Sequence, residues 1–391
     1  MTGTLTFVTP RYGADIHGGA EQAARSLATR LAADGWTIRV LTTCAHSYVT
    51  WADHYEPGTT IEEGVEVVRC GVDRPRDPEH LSLSDAVLPR AASVDCSTAW
   101  DWIDRQGPDS RELLDAIAAV SDGVLAFTPY LYQPTARGIA LAKVPAVLHA
   151  AAHAEPALDL PIFAGIFERS DALSHFSRSE QQLVLSRFPH TRAKPQVVLG
   201  LPVELSGPID PEATRAALGL GDEPFVVALG RIEKGKGSHD LVKRFARFRA
   251  ERGSGRLILA GPVVDAPPET AGVECLGVVP SEHKLGLLAA ADVLINPSPN
   301  ESFSLVVPEA FLVGTPVLVN GWCGPLREHC ENSSGGLWYT GLADFDVALS
   351  RLLDDPVLRT RLGAAGKVYA ADFFSWAAVG GRYTRLLAQL S

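Results

Sequence analysis

The sequence has 391 residues, of which 46% are hydrophobic and 21% are charged. This length suits two domains of medium size, and the hydrophobic content predicts packed cores rather than disorder. With 35 basic and 46 acidic residues, the formal net charge is −11, which argues against non-specific binding to nucleic acid or to an anionic membrane surface. No stretch approaches the ~18 apolar residues of a membrane span, and residues 1–19 carry no export-signal pattern, so we expect a cytoplasmic protein.

The cysteines are scattered along the chain and form no Cys-x-x-Cys pair. They lie at positions 44, 70, 96, 275, 323 and 330. This spacing predicts reduced thiols rather than a disulfide scaffold or a zinc site. The pair His149 and His153 has a spacing that could bind a metal on a helix, but no third ligand is evident and Pro156 disfavours a helix there. We therefore expect no metal site.

Short β-branched segments alternate with amphipathic segments in the first half, which predicts a parallel sheet covered by helices. The predicted strands and helices are, in chain order, strand Leu5–Thr9, helix Ala20–Ala33, strand Trp36–Thr42, strand Gly123–Thr128, helix Tyr132–Ala142, strand Val144–His149, strand Ala172–Ser177, helix Ser179–Phe188 and strand Gln196–Leu199. Residues 72–110 interrupt this alternation, and their Pro-, Asp- and Ser-rich sequence suits either a long loop or a short helical insertion.

The segment Gly200–Pro211 has three prolines and two glycines and is predicted to be a linker. The alternation then restarts with strand Phe225–Leu229, helix Ser238–Arg252, strand Arg256–Ala260, helix Ser281–Ala290, strand Asp292–Asn296, helix Leu305–Val313, strand Pro316–Asn320 and a helical tail over Leu342–Leu390. We therefore predict two Rossmann-like, doubly wound α/β domains that face each other across a cleft. Ligands of such sheets bind beyond the carboxyl ends of the strands, so the residues that follow each strand are the candidates for function.

A basic, glycine-rich loop follows the first strand of the second half. Gly230 and Arg231 come directly after this strand, and Lys236 lies five residues further on, next to Gly237. Two cations among glycines suit a pyrophosphate, because glycine allows the backbone to approach closely and the cations neutralise the phosphates. The alternative is that this charged loop is an ordinary solvated surface.

Two glutamates, Glu301 and Glu309, flank a predicted helix start in the segment PSPNESFSLVVPEA. The free N–H groups of that start, at Ser304 and Leu305, would form a site for the same diphosphate. Carboxylates accept hydrogen bonds from hydroxyls, so one glutamate could bind a sugar and the other a ribose. Glu309 could equally be a plain surface residue of the helix.

Two further groups stand at the ends of elements in the first half. His149 ends a strand, where its side chain would face the cleft and contact a substrate hydroxyl. Gly18 and Gly19 precede the first long helix and could approach a phosphate or a sugar. The Gly pair does not form the dinucleotide motif Gly-x-Gly-x-x-Gly.

Together these features resemble the retaining glycosyltransferases of family 4, which have the GT-B fold, over essentially the whole chain. The resemblance rests on the groups above, on the helix start at Ser177–Glu180 and on the spacing of Glu301 and Glu309. It implies domains at 1–203 on the acceptor side and 204–372 on the nucleotide-sugar side. It also implies a terminal helix, 373–391, that crosses back to the first domain.

The same resemblance implies a role for each candidate residue. Arg231 and Lys236 would bind the donor diphosphate beside Gly230, with Ser304 and Leu305 at the helix start. Glu309 would bind the ribose and Glu301 the hydroxyls of the donor sugar. His149 would lie over the sugar, and the loop of Gly18 and Gly19 would contact phosphate or acceptor. The residues assigned to catalysis are His149, Glu301, Arg231 and Lys236.

The sequence departs from the family pattern at Ser304, where the family usually has glycine after the Phe of this motif. The added side chain narrows the pocket, which leaves the donor sugar open. We expect a UDP-, GDP- or dTDP-linked sugar as the donor substrate, no tightly bound cofactor and no divalent metal, because two cations already neutralise the diphosphate. A nucleotide-sugar 2-epimerase or hydrolase of similar fold and a non-catalytic sugar-binding protein are the alternatives.

The acceptor is predicted to lie against the first domain and to be a small molecule or a glycan. Aromatic side chains in its loops could stack on such an acceptor or could simply pack the domain, and they are Tyr48, Trp51, His54, Tyr55, Trp100 and Trp102. No nucleic acid is expected as a partner, and a homodimer is compatible with the sequence.

Overall fold

The computed structural model describes residues 3–16, 18–205, 207 and 209–390. It divides into two compact units. Unit 1 contains Met1–Leu199 together with Gly380–Ser391, and unit 2 contains Gly200–Val379. Residues 1, 2, 17, 206, 208 and 391 lie outside the described residues, and part of the predicted linker lies outside them as well.

Unit 1 is a parallel sheet with one antiparallel edge strand among its described residues. Its strands are β1 (Thr4–Val8), β2 (Thr37–Thr43), β3 (Gly58–Glu62), β4 (Val65–Cys70), β5 (Val124–Phe127), β6 (Ala146–His149), β7 (Ala172–His175) and β8 (Gln196–Val198). They are arranged in the order β3-β4-β2-β1-β5-β6-β7-β8, in which β3 pairs antiparallel with β4 and the other pairs are parallel.

The helices of unit 1 alternate with the strands along the chain and pack with them to form the hydrophobic core. They are α1 (Gly19–Ala33), α2 (His80–Val87), α3 (Cys96–Gln106), α4 (Arg111–Ala119), α5 (Gln133–Gly138), α6 (Ile162–Arg169) and α7 (Arg178–Arg187). Strand residues such as Phe127 and Leu148 pack with Phe163 and Phe167 of α6 in a fully buried cluster. The core is therefore built between the apolar strands and the helices that follow them.

The segment 72–110 is a helical insertion rather than a long loop. It contains α2, a 3-10 helix at Leu88–Ser93 and α3. Trp102 lies in its interior, where its indole N–H donates to Ser84 Oγ at 3.0 Å, and the ring of His80 packs against it at a tilt, with the ring centres 5.2 Å apart. The sequence allowed either a long loop or a short helical insertion, and the structure shows the helical insertion.

Unit 2 is a fully parallel sheet. Its strands are β9 (Val226–Leu229), β10 (Leu257–Ala260), β11 (Val273–Gly277), β12 (Val293–Asn296), β13 (Val317–Asn320) and β14 (Gly336–Tyr339), in the order β11-β10-β9-β12-β13-β14. Its helices are α8 (Pro211–Ala217), α9 (Ser238–Arg252), α10 (Ser281–Ala290), α11 (Val306–Leu312), α12 (Gly324–Ser333), α13 (Leu342–Asp354) and α14 (Pro356–Phe374), and α15 (Trp376–Leu387) runs across the boundary into unit 1.

The predicted elements agree with the observed ones to within about two residues, with two exceptions. The tail predicted over Leu342–Leu390 consists of three helices, the last of which ends at Leu387, and the helix predicted at Tyr132–Ala142 is shorter than expected. That helix ends at Gly138 and continues as a short 3-10 turn, Ile139–Leu141. The predicted linker also ends one residue earlier than expected, because Pro211 occupies the first turn of α8, a position that tolerates proline. The predicted fold class, two Rossmann-like α/β domains, is confirmed.

Candidate functional site

The loop after β9 is shaped by glycine. Gly237 has φ of 79° and precedes α9, and a Cβ at this position would lie 2.6 Å from the backbone oxygen of Pro297, just beyond β12. The hydroxyl of Ser238 donates to Glu233 O at 2.7 Å and accepts from Glu233 N at 2.8 Å, which closes the loop. This region therefore requires glycine on steric grounds and brings the end of β9 against the end of β12.

Lys236 and Glu301 form an ion pair across these two neighbouring strands. The distance from Lys236 Nζ to Glu301 Oε1 is 2.9 Å, and both side chains are partly exposed. The strands β9 and β12 are adjacent and parallel, so the loops at their carboxyl ends meet at one edge of the sheet. The structure thus brings together two residues that the sequence places 65 positions apart.

Arg231 lies on the same loop, directly after Gly230. Gly230 has φ of 148° and its N–H donates to Ala260 O at 2.9 Å, so the loop leaves the sheet beside β10. The guanidinium of Arg231 is 3.3 Å from Glu233 Oε1 and is partly exposed. Two cations, Arg231 and Lys236, therefore lie on one loop, and each is paired with a carboxylate.

Glu309 is largely enclosed, with a side chain that is 16% exposed, although its helix position alone allowed a surface role. Its Oε1 accepts a hydrogen bond from Lys284 Nζ of α10 at 2.6 Å. Its Oε2 is buried and has no partner among the described residues. Burial raises the pKa of Glu309 above its usual value, and the neighbouring Lys284 opposes this effect. A buried carboxylate with an unused oxygen is suited to accept a hydrogen bond from a ligand hydroxyl.

Ser304 occupies a backbone conformation that favours glycine, with φ of 73°. Its hydroxyl accepts a hydrogen bond from Asn296 Nδ2 at 2.9 Å, which ties it to the end of β12. The following residue, Leu305, is the N-cap of α11, a helix of seven residues. Such a short helix contributes little as an anion site by itself, so the predicted roles of Ser304 and Leu305 stay predictions.

A buried histidine holds the backbone of the residue that precedes Ser304. The ring of His329 is buried, and its Nε2–H donates to Phe303 O at 2.8 Å. Burial lowers the pKa of His329 from 6.5 to about 4, so the ring is neutral near pH 7. Sequence patterns gave no signal for this contact, because His329 comes from a different helix, α12.

The Gly pair in unit 1 lies beside a buried ion pair. Gly18 is the N-cap of α1, and a Cβ there would lie 2.1 Å from Glu21 Oε2 and 3.0 Å from Arg11 Nη2. Arg11 Nε donates to Glu21 Oε1 at 2.9 Å. Gly18 is thus required by the Arg11–Glu21 pair, whereas a Cβ at Gly19 would meet no atom within 4 Å. Contact of this loop with a ligand stays a prediction.

His149 is at the carboxyl end of β6, as predicted, but its side chain is enclosed within unit 1. It is 2% exposed, and its Nε2 shares a hydrogen bond of 2.8 Å with the hydroxyl of Tyr383. Burial lowers the pKa of His149 from 6.5 to about 3. The expected contact between His149 and a sugar therefore stays a prediction, and Tyr383 of α15 is a partner that sequence reasoning missed.

The loop after β6 is held by Glu180, which belongs to the helix start noted in the sequence. Ser177 Oγ accepts from Glu180 N, as a helix cap does. The fully buried Glu180 carboxyl group accepts from Ala152 N at 2.9 Å and from Phe176 N at 2.6 Å. One side chain therefore joins the loops after β6 and β7.

The other predicted aromatic residues divide between packing and exposure. Trp51 and Trp102 are buried, which agrees with the packing alternative. Tyr55 donates from its hydroxyl to Asp15 Oδ1 at 2.5 Å, and the ring of the exposed His54 packs edge-on against Tyr55. Within the described ranges, no group of three or more His, Cys, Asp or Glu residues is arranged to hold a metal ion. No helix among these residues combines the length and apolar character needed to cross a membrane.

The predicted site residues thus form two sets, one in each unit. Unit 1 contains Gly18, Gly19 and His149. Unit 2 contains Gly230, Arg231, Lys236, Glu301, Ser304, Leu305 and Glu309. In the second set, Lys236 and Glu301 are in direct contact, and the unpredicted Lys284 pairs with Glu309.

Comparisons with known proteins bear on this arrangement. A D-inositol 3-phosphate glycosyltransferase of Nocardia farcinica is 37% identical over 190 residues, which cover 44% of this chain and 42% of that protein. A GDP-mannose-dependent monoacylated alpha-(1-6)-phosphatidylinositol monomannoside mannosyltransferase of Corynebacterium glutamicum is 28% identical over 236 residues, which cover 56% of this chain and 62% of that protein. The chain spans about half the length of these curated relatives.

Longer matches extend over nearly the whole chain at lower identity. A D-inositol 3-phosphate glycosyltransferase of an Arthrobacter species is 25% identical over 92% of this chain and 88% of its own. Among solved structures, a sucrose-phosphate synthase from Thermosynechococcus elongatus has a TM-score of 0.73 at 19% identity and covers 99% of both chains. The Anabaena protein HepE in complex with UDP and glucose has a TM-score of 0.70 at 16% identity and covers 99% of this chain and 100% of its own.

These structural likenesses show a shared fold over the whole chain. A family model, that of the glycosyl transferases group 1, matches residues 210–369, which is most of unit 2 and includes Arg231, Lys236, Glu301 and Glu309. Residues 210–369 therefore match the glycosyl transferases group 1, which confirms the glycosyltransferase resemblance predicted from the sequence.

Proposed function

We propose that the protein is a retaining glycosyltransferase that moves a sugar from a nucleotide-diphosphate sugar to a hydroxyl of a small-molecule or glycan acceptor. The observation that carries the proposal is the placement of Arg231 and Lys236 on one glycine-shaped loop, next to Glu301 and within the family-matched segment. Two cations at the carboxyl end of a parallel sheet suit a diphosphate.

In the proposed reaction these cations stabilise the negative charge that develops on the departing diphosphate. Glu301 accepts hydrogen bonds from hydroxyls of the donor sugar, and the unused Oε2 of Glu309 accepts one from the ribose. The leaving phosphate oxygen takes the proton of the acceptor hydroxyl as the new glycosidic bond forms. No protein general base and no divalent metal are required in this scheme, because Arg231 and Lys236 supply the compensating charge.

An apolar surface beside Arg231 supports binding of a nucleobase. It consists of Val263, Val264 and Val278, which are all exposed and follow the carboxyl ends of β10 and β11. Ile232, next to Arg231, forms a bridge with Val263, so this surface adjoins the cationic loop. A flat base packed on the valines would remove apolar area from water while its diphosphate meets the cations.

The base and the sugar of the donor are left to experiment. One relative is named for GDP-mannose and one structural neighbour binds UDP and glucose, which favours a screen of GDP-, UDP- and dTDP-linked sugars. A donor present at about 100 times its dissociation constant should add about 2.7 kcal/mol to the free energy of unfolding. The thermal shift in such a screen ranks the candidates.

Two lysines of one loop provide a test with a matched control. Lys236→Ala and Arg231→Ala should each cost about 2–4 kcal/mol of transition-state stabilisation, seen as a fall in kcat/KM. Lys234 is 75% exposed and pairs with Asp265 at 3.5 Å, so Lys234→Ala should leave kcat/KM nearly unchanged. Near wild-type turnover in Arg231→Ala would show that the diphosphate assignment is wrong.

Two further readouts test the remaining parts of the proposal. Consumption of the nucleotide sugar without any acceptor would identify a 2-epimerase or a hydrolase, and binding without consumption would identify a sugar-binding protein. The anomeric configuration of the product, measured by NMR, tests retention. A product of inverted configuration would exclude the retaining mechanism.

A further inference from the structure

Two arginines pack against a buried tryptophan in unit 1, and only one of them is paired with a carboxylate. The guanidinium carbon of Arg11 lies 5.7 Å from the ring centre of Trp51, and that of Arg76 lies 5.6 Å from it. Arg11 is compensated by the buried Glu21. Arg76 forms no ion pair with any acidic residue in the described part of the chain.

The position of Arg76 is set by the helical insertion. Its N–H donates to Thr50 O at 2.9 Å, and its Nε donates to Gln106 O at 3.4 Å. The same carbonyl oxygen of Gln106, at the end of α3, accepts from Trp51 Nε1 at 2.7 Å. The insertion over residues 72–110 therefore holds Trp51 and Arg76 together through one backbone oxygen.

The terminal nitrogens of Arg76 remain accessible. They have no hydrogen-bond partner among the described residues, and they are not among the fully buried atoms without a partner. Burial lowers the pKa of Arg76, which indicates that its positive charge is poorly solvated. A poorly solvated cation without an anionic partner gains free energy when an anion binds.

Tyr132 packs against the same tryptophan. Its ring lies edge-on to Trp51 at 5.1 Å, and its hydroxyl has no hydrogen-bond partner in the described ranges. Trp51 follows β2 and Arg76 follows the adjacent β4, whereas Tyr132 follows β5, which is separated from β2 by β1, so all three lie beyond the carboxyl ends of strands of one sheet. Trp51 itself has φ of 57°, an uncommon backbone conformation of the kind that collects at functional sites.

We propose that Arg76 and the Tyr132 hydroxyl bind an oxyanion of the acceptor, so that the substrate class is a phosphorylated or carboxylated hydroxyl compound. The planar guanidinium donates two parallel hydrogen bonds to the oxyanion, and the Tyr132 hydroxyl donates a third. The ring of Trp51 packs against the guanidinium of Arg76. The inference rests on the proposed function only where it calls the ligand an acceptor. The anion site itself is argued from residues of unit 1 alone.

The test measures anion binding where the donor site cannot contribute. Inorganic phosphate and acetate are titrated by calorimetry into the full chain carrying Arg231→Ala and Lys236→Ala, with and without Arg76→Met. Arg76→Met should weaken binding of the preferred anion at least tenfold, and Arg76→Lys should keep part of the affinity because it keeps the charge. Arg90→Met is the control, because Arg90 lies in the same insertion and donates to a backbone oxygen. Preference for phosphate or for acetate separates the two classes of acceptor.

Two results would overturn the proposal. The first is equal anion affinity with and without Arg76→Met. The second is that Arg76→Met and Arg76→Lys both lower Tm by several degrees and lose anion affinity equally. Such a result would mean that Arg76 holds Trp51 in place and does not bind the anion. Failure of the proposed function is seen separately, as absence of nucleotide-sugar binding or turnover in the chain with Arg231, Lys236 and Arg76 intact.

Discussion

His329 should make the stability of the protein fall in mild acid. One ring nitrogen, Nε2, donates its proton to Phe303 O, and the other, Nδ1, is buried with no partner among the described residues. A second proton on the ring would therefore have no acceptor, which is consistent with a pKa of about 4 in the folded chain instead of the usual 6.5. The unfolded chain then binds more protons than the folded chain between these two pH values.

The sign and the size of the effect follow from this difference. Because the folded-state pKa is the lower one, the contribution of His329 to stability is present above about pH 6.5 and is lost as the pH falls towards about 4. The full loss is about 3 kcal/mol, of which about 2 kcal/mol is reached at pH 5. Other buried histidines, such as His149 and His175, act in the same direction, so the effect of His329 has to be isolated by substitution.

His329→Gln isolates it, because the glutamine amide retains an N–H donor for Phe303 O and does not titrate. Urea unfolding at about pH 7.5 and about pH 5 should show a loss of stability that is about 2 kcal/mol smaller in the variant than in the wild type. His190→Gln, at an exposed position, is the control and should reproduce the wild-type loss. A loss in His329→Gln within about 0.5 kcal/mol of the wild-type value would refute the reasoning.

Three further substitutions test the backbone and the buried contacts. Gly237→Ala should destabilise the protein by about 2–3 kcal/mol in denaturant unfolding, because its Cβ would meet a backbone oxygen beyond β12; Gly219→Ala, at a similar φ in open space, should cost less. Tyr383→Phe should cost about 1–3 kcal/mol by leaving His149 Nε2 buried without a partner, and unchanged stability would contradict this. Ser304→Gly should widen the range of donors that give a thermal shift, and an unchanged donor profile would count against a narrowed pocket.

The sequence predicted the central strands and the edge strand β8, but it missed β3 and β4 of the first sheet and both edge strands, β11 and β14, of the second. Central strands such as β5 and β12 are fully buried and appear as short apolar segments. At the edges, β3 is almost entirely exposed and reads GTTIE, and β11 and β14 are only partly buried. An edge strand is specified by its pairing with a neighbour rather than by an apolar pattern of its own, so composition alone did not reveal it.

The candidate site was predictable in its positions but not in its pairings. Residues that follow strands, such as Lys236 and Glu301, could be found because parallel strands end at one edge of a sheet. The partner of Glu309 is Lys284, 25 residues away, and the partner of His149 is Tyr383, 234 residues away. Neither partner lies in a motif: Lys284 is placed by the packing of α10 near α11, and Tyr383 by the packing of α15 against the end of β6.

These pairings bear on how the proposed donor would be bound. Two ion pairs neutralise these charges, one between Lys236 and Glu301 and one between Lys284 and Glu309. A diphosphate therefore has to compete with the carboxylates for the cations. Each carboxylate oxygen that loses its cation needs a new hydrogen-bond donor, since an unsatisfied buried acceptor costs about 1–3 kcal/mol. The hydroxyls of a sugar and a ribose supply such donors, whereas inorganic diphosphate does not. The paired state therefore favours a ligand that carries both the anion and the hydroxyls, which is the chemical description of a nucleotide sugar.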